Sequence, residues 1–314
     1  MKTMPAIALI SLVGLLLPVV SGYFAGSEGF LIWLIDLAAH WQWLFLMGLV
    51  IAGVFSTYRN WRWGALLLAV PAPYLTASAQ APEVEPEGSI FTVASANVSL
   101  SNRDPRPLVE WLSDERMDVV ALFEVSPDYS AHLGVVPGFA FQKVVPSHGP
   151  FGIGLLSRHP MMDVNVVHDA DGIAHIEAEI DWQGNLLKVI AFHPMPPLEP
   201  RYQVERDSKL RSLAKAAIDE GHPAILAGDI NATPWSSAFS GLADHGLRRA
   251  TGLAPSWPTE LQGFMGIPID HVLVTPHWAV VQSEIGPELG SDHFPVIARL
   301  VLRSRTASYP DSNY

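Results

Sequence analysis

The sequence predicts a mixed α/β or α+β domain preceded by an N-terminal third that forms three transmembrane helices. Residues 1–80 hold only five charged residues among long apolar runs. From residue 90 onward, short apolar segments alternate with amphipathic ones, a pattern typical of layered folds built from strands and helices. Cysteine is absent, which excludes disulfides, thiolate catalysis and zinc-cysteine sites.

Acidic charge is concentrated in the second part of the chain. The formal net charge is −12, and residues 1–80, with three basic and two acidic side chains, contribute +1, so residues 81–314 carry −13. Loose, sequence-independent binding to nucleic acid depends on basic surface and counterion release. The charge therefore argues against such binding, although a nucleic acid held by a metal and a few basic residues remains compatible with it.

Three apolar runs predict the membrane helices: Met4–Phe24, Trp41–Thr57 and Trp63–Ser78. The first is long enough to cross a bilayer, and the other two are near the short limit. A buried core hairpin is the alternative for the shorter runs, and a cleavable signal peptide is the alternative for the first. Because further apolar runs follow the first one, a retained anchor is favoured. The polar residues Asp36 and His40 fall in a predicted loop.

Basic residues in short loops predict the orientation in the membrane. Arg59 and Arg62 lie between the second and third runs, and Lys2 precedes the first, so these parts should face the cytoplasm. Three crossings then place everything after Ser78 on the periplasmic or extracellular side of the cell (inner) membrane. The predicted organisation is a membrane anchor (1–80), a Pro/Glu-rich linker (81–89), a globular domain (90–303) and a mobile tail (304–314).

Polar residues occur where the predicted buried strands of the globular domain end. In α/β proteins such residues converge at one sheet edge and build active sites. Their carboxylate and amide oxygens are hard ligands suited to Mg²⁺ or Mn²⁺. Taken singly, each has an ordinary structural explanation, such as a turn or a helix cap. The residues are Asn97, Glu124, His193, Asp229, Asn231, Asp292 and His293.

The order of these residues, together with Asp270, resembles the endonuclease/exonuclease/phosphatase (deoxyribonuclease-I-like) superfamily. The most specific motifs are ILAGDIN (225–231) and GSDHFPV (290–296), and GIGLLSRHP (152–160) is similar to a further family strand. The resemblance covers about residues 91–302, and the apolar N-terminus is similar to a membrane-anchored bacterial subgroup. It implies a four-layer sandwich in which two packed mixed β-sheets are flanked by helices, with the active site at one end.

The resemblance also implies a metal site that holds Mg²⁺, with Mn²⁺ as a possible substitute. Asn97 and Glu124 would be its ligands, and Asp292 would be a further or water-mediated ligand. Two substrate contacts are expected outside this set, Arg158 and Trp257, although packing is an equally good explanation for Trp257. No second acidic residue directly follows Asn97, which favours a single metal.

Catalytic roles follow from the same resemblance. Asp229 would be the general base, with Asn231 holding Asp229 or the phosphate in place. His293, oriented by Asp270, would donate a hydrogen bond to the phosphoryl oxygens, and His193 would be a second phosphate contact or general acid. An anionic phosphodiester requires such charge neutralisation and an aligned nucleophile.

The function expected from the sequence is therefore a membrane-anchored, Mg²⁺-dependent phosphoric ester hydrolase. A phosphodiesterase acting on nucleic acid is the first prediction, and a lipid phosphodiesterase or a phosphomonoesterase is the alternative. An inactive membrane interaction module is the alternative from a different class. The expected partners are the phosphoester substrate, either nucleic acid or lipid headgroup, and the lipid bilayer. The sequence indicates no protein partner.

Overall fold

The computed structural model describes residues 4–56, 67 and 69–303, and twelve strands within them form two six-stranded sheets. With strands numbered along the chain, the first sheet contains β1 (Phe91–Asn97), β2 (Val119–Phe123), β3 (Phe141–Val145), β4 (Ile153–Ser157), β11 (Trp278–Ile285) and β12 (Val296–Leu302) in the order β11-β12-β1-β2-β4-β3. The second contains β5 (Met161–His168), β6 (Ala174–Trp182), β7 (Asn185–Ala191), β8 (Ala224–Asp229), β9 (Arg248–Arg249) and β10 (Asp270–Val274) in the order β5-β6-β7-β8-β10-β9.

Seven α-helices surround or precede the sheets in the described part of the chain. They are α1 (Met4–Tyr23), α2 (Phe30–Ala39), α3 (Gln42–Val54), α4 (Ala72–Thr76), α5 (Arg106–Asp114), α6 (Pro127–Leu133) and α7 (Pro200–Asp219). The sheets pack face to face through alternate apolar residues of their strands, so Phe91 and Val93 point into the central core. Their neighbours Ala94 and Ala96 point outward, toward α5 and α6.

Helix α7 covers the outer face of the second sheet. Its buried residues Leu210, Leu213, Ala214 and Ala217 follow the spacing of one helical face. The result is four layers, helix, sheet, sheet and helix. Both sheets are mixed, because β1–β2 and β7–β8 are parallel and the other pairs are antiparallel. The prediction of two packed mixed sheets flanked by helices is confirmed.

The prediction of three transmembrane helices is wrong. Within the described residues, only α1 is by itself long and apolar enough to cross a membrane. Helices α2 and α3 meet the same criteria only if taken together, and they are bent by 67° at the break between them. The predicted third run, Trp63–Ser78, lies partly outside the described residues, and its described part contains the five-residue α4. Lys2, Arg59, Arg62 and the predicted tail also lie outside them.

Helices α1 and α3 form an antiparallel pair. Gln42 Nε2, at the start of α3, donates to the carbonyl of Gly14 (3.0 Å), and Gly48 lies beside Ser11. The end of α1 then reaches the globular domain, where Ser240 Oγ donates to the carbonyl of Gly22 (3.2 Å).

Helix α2 lies on the globular domain, and the predicted loop around Asp36 is wrong. Asp36 is completely buried in α2. Its Oδ1 accepts hydrogen bonds from Ser237 N (2.6 Å) and Ser21 Oγ (2.6 Å), and its Oδ2 lies 3.3 Å from Arg206 Nη2. A buried carboxylate requires such partners, and most of these belong to the globular domain.

Part of the predicted linker 81–89 is bound to the sheets. Ala81 N donates to the Arg249 carbonyl (2.7 Å), beside β9. Val84 N donates to the Val280 carbonyl (2.9 Å), and Val280 N donates to the Pro82 carbonyl (2.9 Å). Residues 80–84 therefore extend both sheet edges, while residues 85–90 are exposed.

Gly228 in β8 permits a close backbone approach next to the predicted site. A Cβ built on Gly228 would lie 2.0 Å from the carbonyl oxygen of Phe192, which is backbone and cannot rotate away. We therefore expect Gly228→Ala to separate β7 from β8 and lower the melting temperature markedly. Gly154→Ala in β4 is the matched control, because its Cβ would meet only side-chain atoms at 3.5 Å or more. Equal melting temperatures for the two variants would contradict the expectation.

Candidate active site

The parallel strand pairs bring four predicted site residues to one end of the sandwich. Asn97 closes β1 and Glu124 follows β2. Because these strands are parallel, their C-terminal ends lie at the same end of the sheet. Asp229 closes β8, and His193 follows the parallel strand β7. These two sets of strand ends face each other across the packed sheets. This explains why site residues that are distant in sequence come together.

The antiparallel strands supply the remaining residues. Asp270 begins β10 and lies directly opposite Asp229 in the strand pairing. His293 precedes β12, whose first residue pairs with β1 close to Asn97. Sequence order and strand direction together therefore place all of them at the same end.

Asn97 lies at the centre of the polar cluster. Its Nδ2 donates to Glu124 Oε1 (3.1 Å) and Asp229 Oδ2 (3.1 Å), and Ser99 N donates to its Oδ1 (2.9 Å). Glu124 Oε2 accepts from Leu100 N (2.8 Å). The backbone of Glu124 has φ 60°, a left-handed conformation that costs energy for a residue with a side chain and is concentrated at functional sites.

His293 and Asp270 form a buried pair. The distance from His293 Nδ1 to Asp270 Oδ2 is 2.8 Å, and Asp270 N donates to Ser256 Oγ (3.1 Å). Burial disfavours the imidazolium, but the charges of Asp270 and Asp229 outweigh it and raise the pKa of His293 to about 10. His293 is therefore a cation at neutral pH, with Nε2 3.8 Å from Asp229 Oδ2.

His193 and Asn231 flank Asp229 on its other sides. His193 Nε2 lies 3.5 Å from Asp229 Oδ2, and its ring packs against Phe123 and Phe151. Asn231 N donates to Asp229 Oδ1 (3.0 Å), which fixes the carboxylate. The side chain of Asn231 donates to the Pro194 carbonyl (3.2 Å). Asn231 therefore orients Asp229 through its backbone.

Trp257 and Asp292 lie at the rim of the site. Trp257 Nε1 donates to Asp292 Oδ2 (3.2 Å), and the Trp257 ring centroid is 6.4 Å from that of His293. Asp292 is exposed. Both residues contact the cavity described below.

The prediction that Arg158 contacts substrate needs correction. Arg158 directly follows Ser157, the last residue of β4, which pairs with Val119 at the start of β2. Glu124 follows the other end of β2, so Arg158 and Glu124 lie at opposite ends of the sheet. Its Nε donates to the Met117 carbonyl (2.6 Å), and its guanidinium stacks on Phe139 at 4.6 Å. These contacts hold the chain before β2, so Arg158 has a structural role.

A cavity of about 540 Å³ opens beside the polar cluster. One end is polar, and the rest is mainly apolar and includes a wall from the N-terminal helices. The lining residues are Leu37, His40, Trp41, Glu124, Pro150, Phe151, His193, Pro196, Pro197, Leu198, Asp229, Asn231, Trp257, Ile267, Ile269, Asp292 and His293.

Sequence reasoning missed the N-terminal and loop contributions to this site. His40 Nδ1 accepts from Thr233 N (3.1 Å), and Arg206 Nη1 donates to the Asn231 carbonyl (2.7 Å). The available signal was a single acid, Asp36, inside an apolar segment. Such a residue demands a buried partner, but its partner Arg206 lies 170 residues away.

The cluster fits a divalent cation such as Mg²⁺ or Mn²⁺. The carboxylates of Glu124 and Asp229 lie on either side of Asn97, whose Nδ2 donates to both, and they offer hard oxygen atoms to a cation. A second group, Asp229, Asp270 and His293, also places possible ligand atoms within 4.8 Å of one another. In this second group, the Asp270 carboxylate already binds His293 Nδ1.

The sequence comparison agrees with this geometry. The model of the Endonuclease/Exonuclease/phosphatase family matches residues 94–293, more than half of the chain. The chain belongs to this family. The chain therefore has the hydrolase fold of this family, and the family as a whole depends on divalent metals. No curated protein matches the sequence significantly.

Solved structures share the family fold. TDP2 from D. rerio, in complex with a single-strand DNA product, is 17% identical with a TM-score of 0.57, covering 68% of this chain and all of that one. An endonuclease/exonuclease/phosphatase from Beutenbergia cavernae is 20% identical with a TM-score of 0.56, covering 68% and 72%. A family protein from Bacteroides thetaiotaomicron is 16% identical with a TM-score of 0.58, covering 70% and 98%.

Proposed function

We propose that this family member is a metal-dependent phosphodiester hydrolase. The observation that carries the proposal is the assembly of a carboxylate, Asp229, beside a cationic histidine, His293, at the polar end of one cavity. At this separation the carboxylate can orient the attacking water while the imidazolium donates a hydrogen bond to a phosphoryl oxygen of the same phosphate. An inactive module would have no need of this arrangement.

Each residue has a role in the proposed reaction. Asp229, held by Asn231 N, accepts the proton of the attacking water. His293, oriented by Asp270, donates a hydrogen bond to a phosphoryl oxygen, and His193 assists the leaving oxygen. Glu124 and Asn97 would hold the Mg²⁺ ion, with Asp292 a further, water-mediated ligand. When bound, the ion neutralises phosphate charge and polarises the phosphoryl oxygen.

A phosphodiester is preferred to a phosphomonoester because two histidines are available to assist an alkoxide leaving group. Nucleic acid is one candidate, supported by the DNA product bound to D. rerio TDP2. The net charge of −13 on residues 81–314 opposes a long polyanion. A lipid phosphodiester does not meet this obstacle to the same degree, since it carries one phosphate.

The deciding experiment measures turnover by the full chain in lipid nanodiscs with Mg²⁺ or Mn²⁺. Substrates are bis(p-nitrophenyl) phosphate, single- and double-stranded DNA, a phosphatidyl diester and p-nitrophenyl phosphate. We expect a diester to be hydrolysed with the higher kcat/KM. A monoester rate tenfold above every diester rate would refute the diester assignment, and no turnover of any compound would refute the hydrolase.

We further propose that α1 anchors the chain in the cell membrane with the globular domain on the periplasmic or extracellular side. Support comes from the exposed apolar residues of α1, the domain contact at its C-terminal end, and the basic residues Lys2, Arg59 and Arg62. A C-terminal reporter that is active only after export tests this placement. An inactive reporter paired with a fluorescent cytoplasmic fusion would reverse it.

Metal binding gives a further prediction. We expect Glu124→Gln to weaken apparent Mg²⁺ affinity and to be partly rescued by excess Mg²⁺, because one charged oxygen is replaced by a neutral amide. Mg²⁺ titration of turnover measures the effect, and calorimetric Mg²⁺ binding provides a second measurement. Glu110→Gln, an exposed residue of α5, is the control. Unchanged Mg²⁺ dependence would exclude Glu124 as a ligand.

A further inference from the structure

Helix α2 carries a continuous apolar stripe that leads into the catalytic cavity. Phe30, Leu34, Leu37 and Trp41 are spaced at i, i+4, i+7 and i+11, so they follow one side of the helix and its end. Phe30 and Leu34 are 63% and 40% exposed on the outer part of the stripe. Leu37 and Trp41 line the cavity itself. The stripe therefore connects an exposed apolar surface with the polar cluster.

A second part of the cavity lining is apolar as well. It is formed by Phe151, Ile267 and the segment 196–198. Leu198 lines the cavity and is 70% exposed. The cavity thus has a polar end at Asp229 and His293 and an apolar channel on the side of α2.

Helix α2 is fixed to the domain, so its wall belongs to the site. Trp33 Nε1 donates to the Pro197 carbonyl (2.7 Å), which joins the two apolar walls. Asp36 binds Arg206, and His40 accepts from Thr233 N, two residues after Asn231. The contacts on three successive turns hold the stripe at a constant position relative to Asp229.

We propose that this apolar channel binds the hydrocarbon chain of a lipid phosphodiester, with the phosphate at Asp229 and His293. The inference rests on the proposed hydrolase function and names its substrate class. A bilayer lipid is favoured over nucleic acid because the channel walls are apolar and the domain is acidic. The exposed residues Phe30 and Leu34 continue the stripe from the cavity to the surface, where a lipid would enter.

The test compares chain length at constant headgroup. Full-length protein in nanodiscs is assayed with phosphatidylglycerol bearing four-carbon or eight-carbon chains, and with bis(p-nitrophenyl) phosphate. We expect kcat/KM to rise at least tenfold with the longer chains, because each methylene buried in the channel increases binding affinity about fourfold. Leu37→Ser and Leu198→Ser should remove most of that rise, and should lower the rate on the eight-carbon lipid at least fivefold more than the rate on bis(p-nitrophenyl) phosphate. Leu31→Ser, exposed on α2 outside the stripe, should behave as wild type.

Three outcomes would overturn the inference while leaving the hydrolase intact. They are rates that do not depend on chain length, equal losses on lipid and soluble diester in the leucine variants, and single-stranded DNA hydrolysed tenfold better than the eight-carbon lipid. Calorimetric binding of an eight-carbon phosphonate analogue gives a readout without turnover. If no phosphoester is hydrolysed, binding by wild type that is weakened by Leu37→Ser still supports the channel, and absence of binding refutes it.

Discussion

Asp229→Asn is expected to lower kcat about 100-fold or more, because a positioned general base typically accelerates a reaction by about 10²–10⁴. The amide keeps the shape of the carboxylate and can still accept from Asn231 N, so the fold should persist. His293→Ala should lower kcat to a similar extent. Turnover of purified, metal-saturated protein on bis(p-nitrophenyl) phosphate measures both effects.

Asp244→Asn is the matched control, since Asp244 is an exposed residue of the same chain segment. Its turnover should equal that of wild type. Wild-type turnover in Asp229→Asn would show that Asp229 is not the base. A loss of helical signal or of melting temperature in that variant would instead show a structural role.

Arg206→Met is expected to destabilise the protein by about 3–5 kcal/mol, the usual consequence of removing one partner from a buried ion pair. Arg206 is almost fully buried between Asp36 and Asp207, and these charges raise the pKa of its guanidinium in spite of burial. Without it, the buried carboxylates of Asp36 and Asp207 would lose their cationic partner. The Asn231 carbonyl would also lose its donor, so turnover should fall too.

Thermal unfolding of the full chain in nanodiscs measures this effect, with an expected fall of about 6 °C or more. Lys215→Met is the control because Lys215 is an exposed residue of the same helix. If the melting temperatures of the two variants agree within about 2 °C, the buried network does not hold α2 to the domain.

The globular fold was predictable because its signals are local and periodic. Buried strands such as 119–123 are continuous apolar runs, and the β6–β7 hairpin is marked by Gln183 and Gly184, which both adopt positive φ. The order of Asn97, Glu124, Asp229 and His293 added the family resemblance. The structure brings these residues together as expected, because each lies at a strand end.

The N-terminal third was not predictable from hydropathy alone. Apolar length indicates that a segment avoids water, but not whether lipid or protein covers it. Asp36 is stabilised by Arg206 and Ser237, which lie 170 and 201 residues away in the sequence. No local pattern around Asp36 predicts either contact. The predicted substrate contact of Arg158 has a related explanation. The motif around Arg158 correctly predicts a strand, but it does not indicate at which end of the sheet the side chain lies.

The pairing of residues 80–84 with β9 and β11 has a consequence for proteolysis. The exposed stretch 85–90 follows directly and is the natural place for a protease to cut. A cut there would break the covalent connection without releasing the globular part. Trp33, Asp36 and His40 would still bind it, as would Pro73, whose carbonyl accepts from Trp235 Nε1. Release of the globular part from the N-terminal helices would therefore require more than a single cleavage, and the nicked protein should remain one particle.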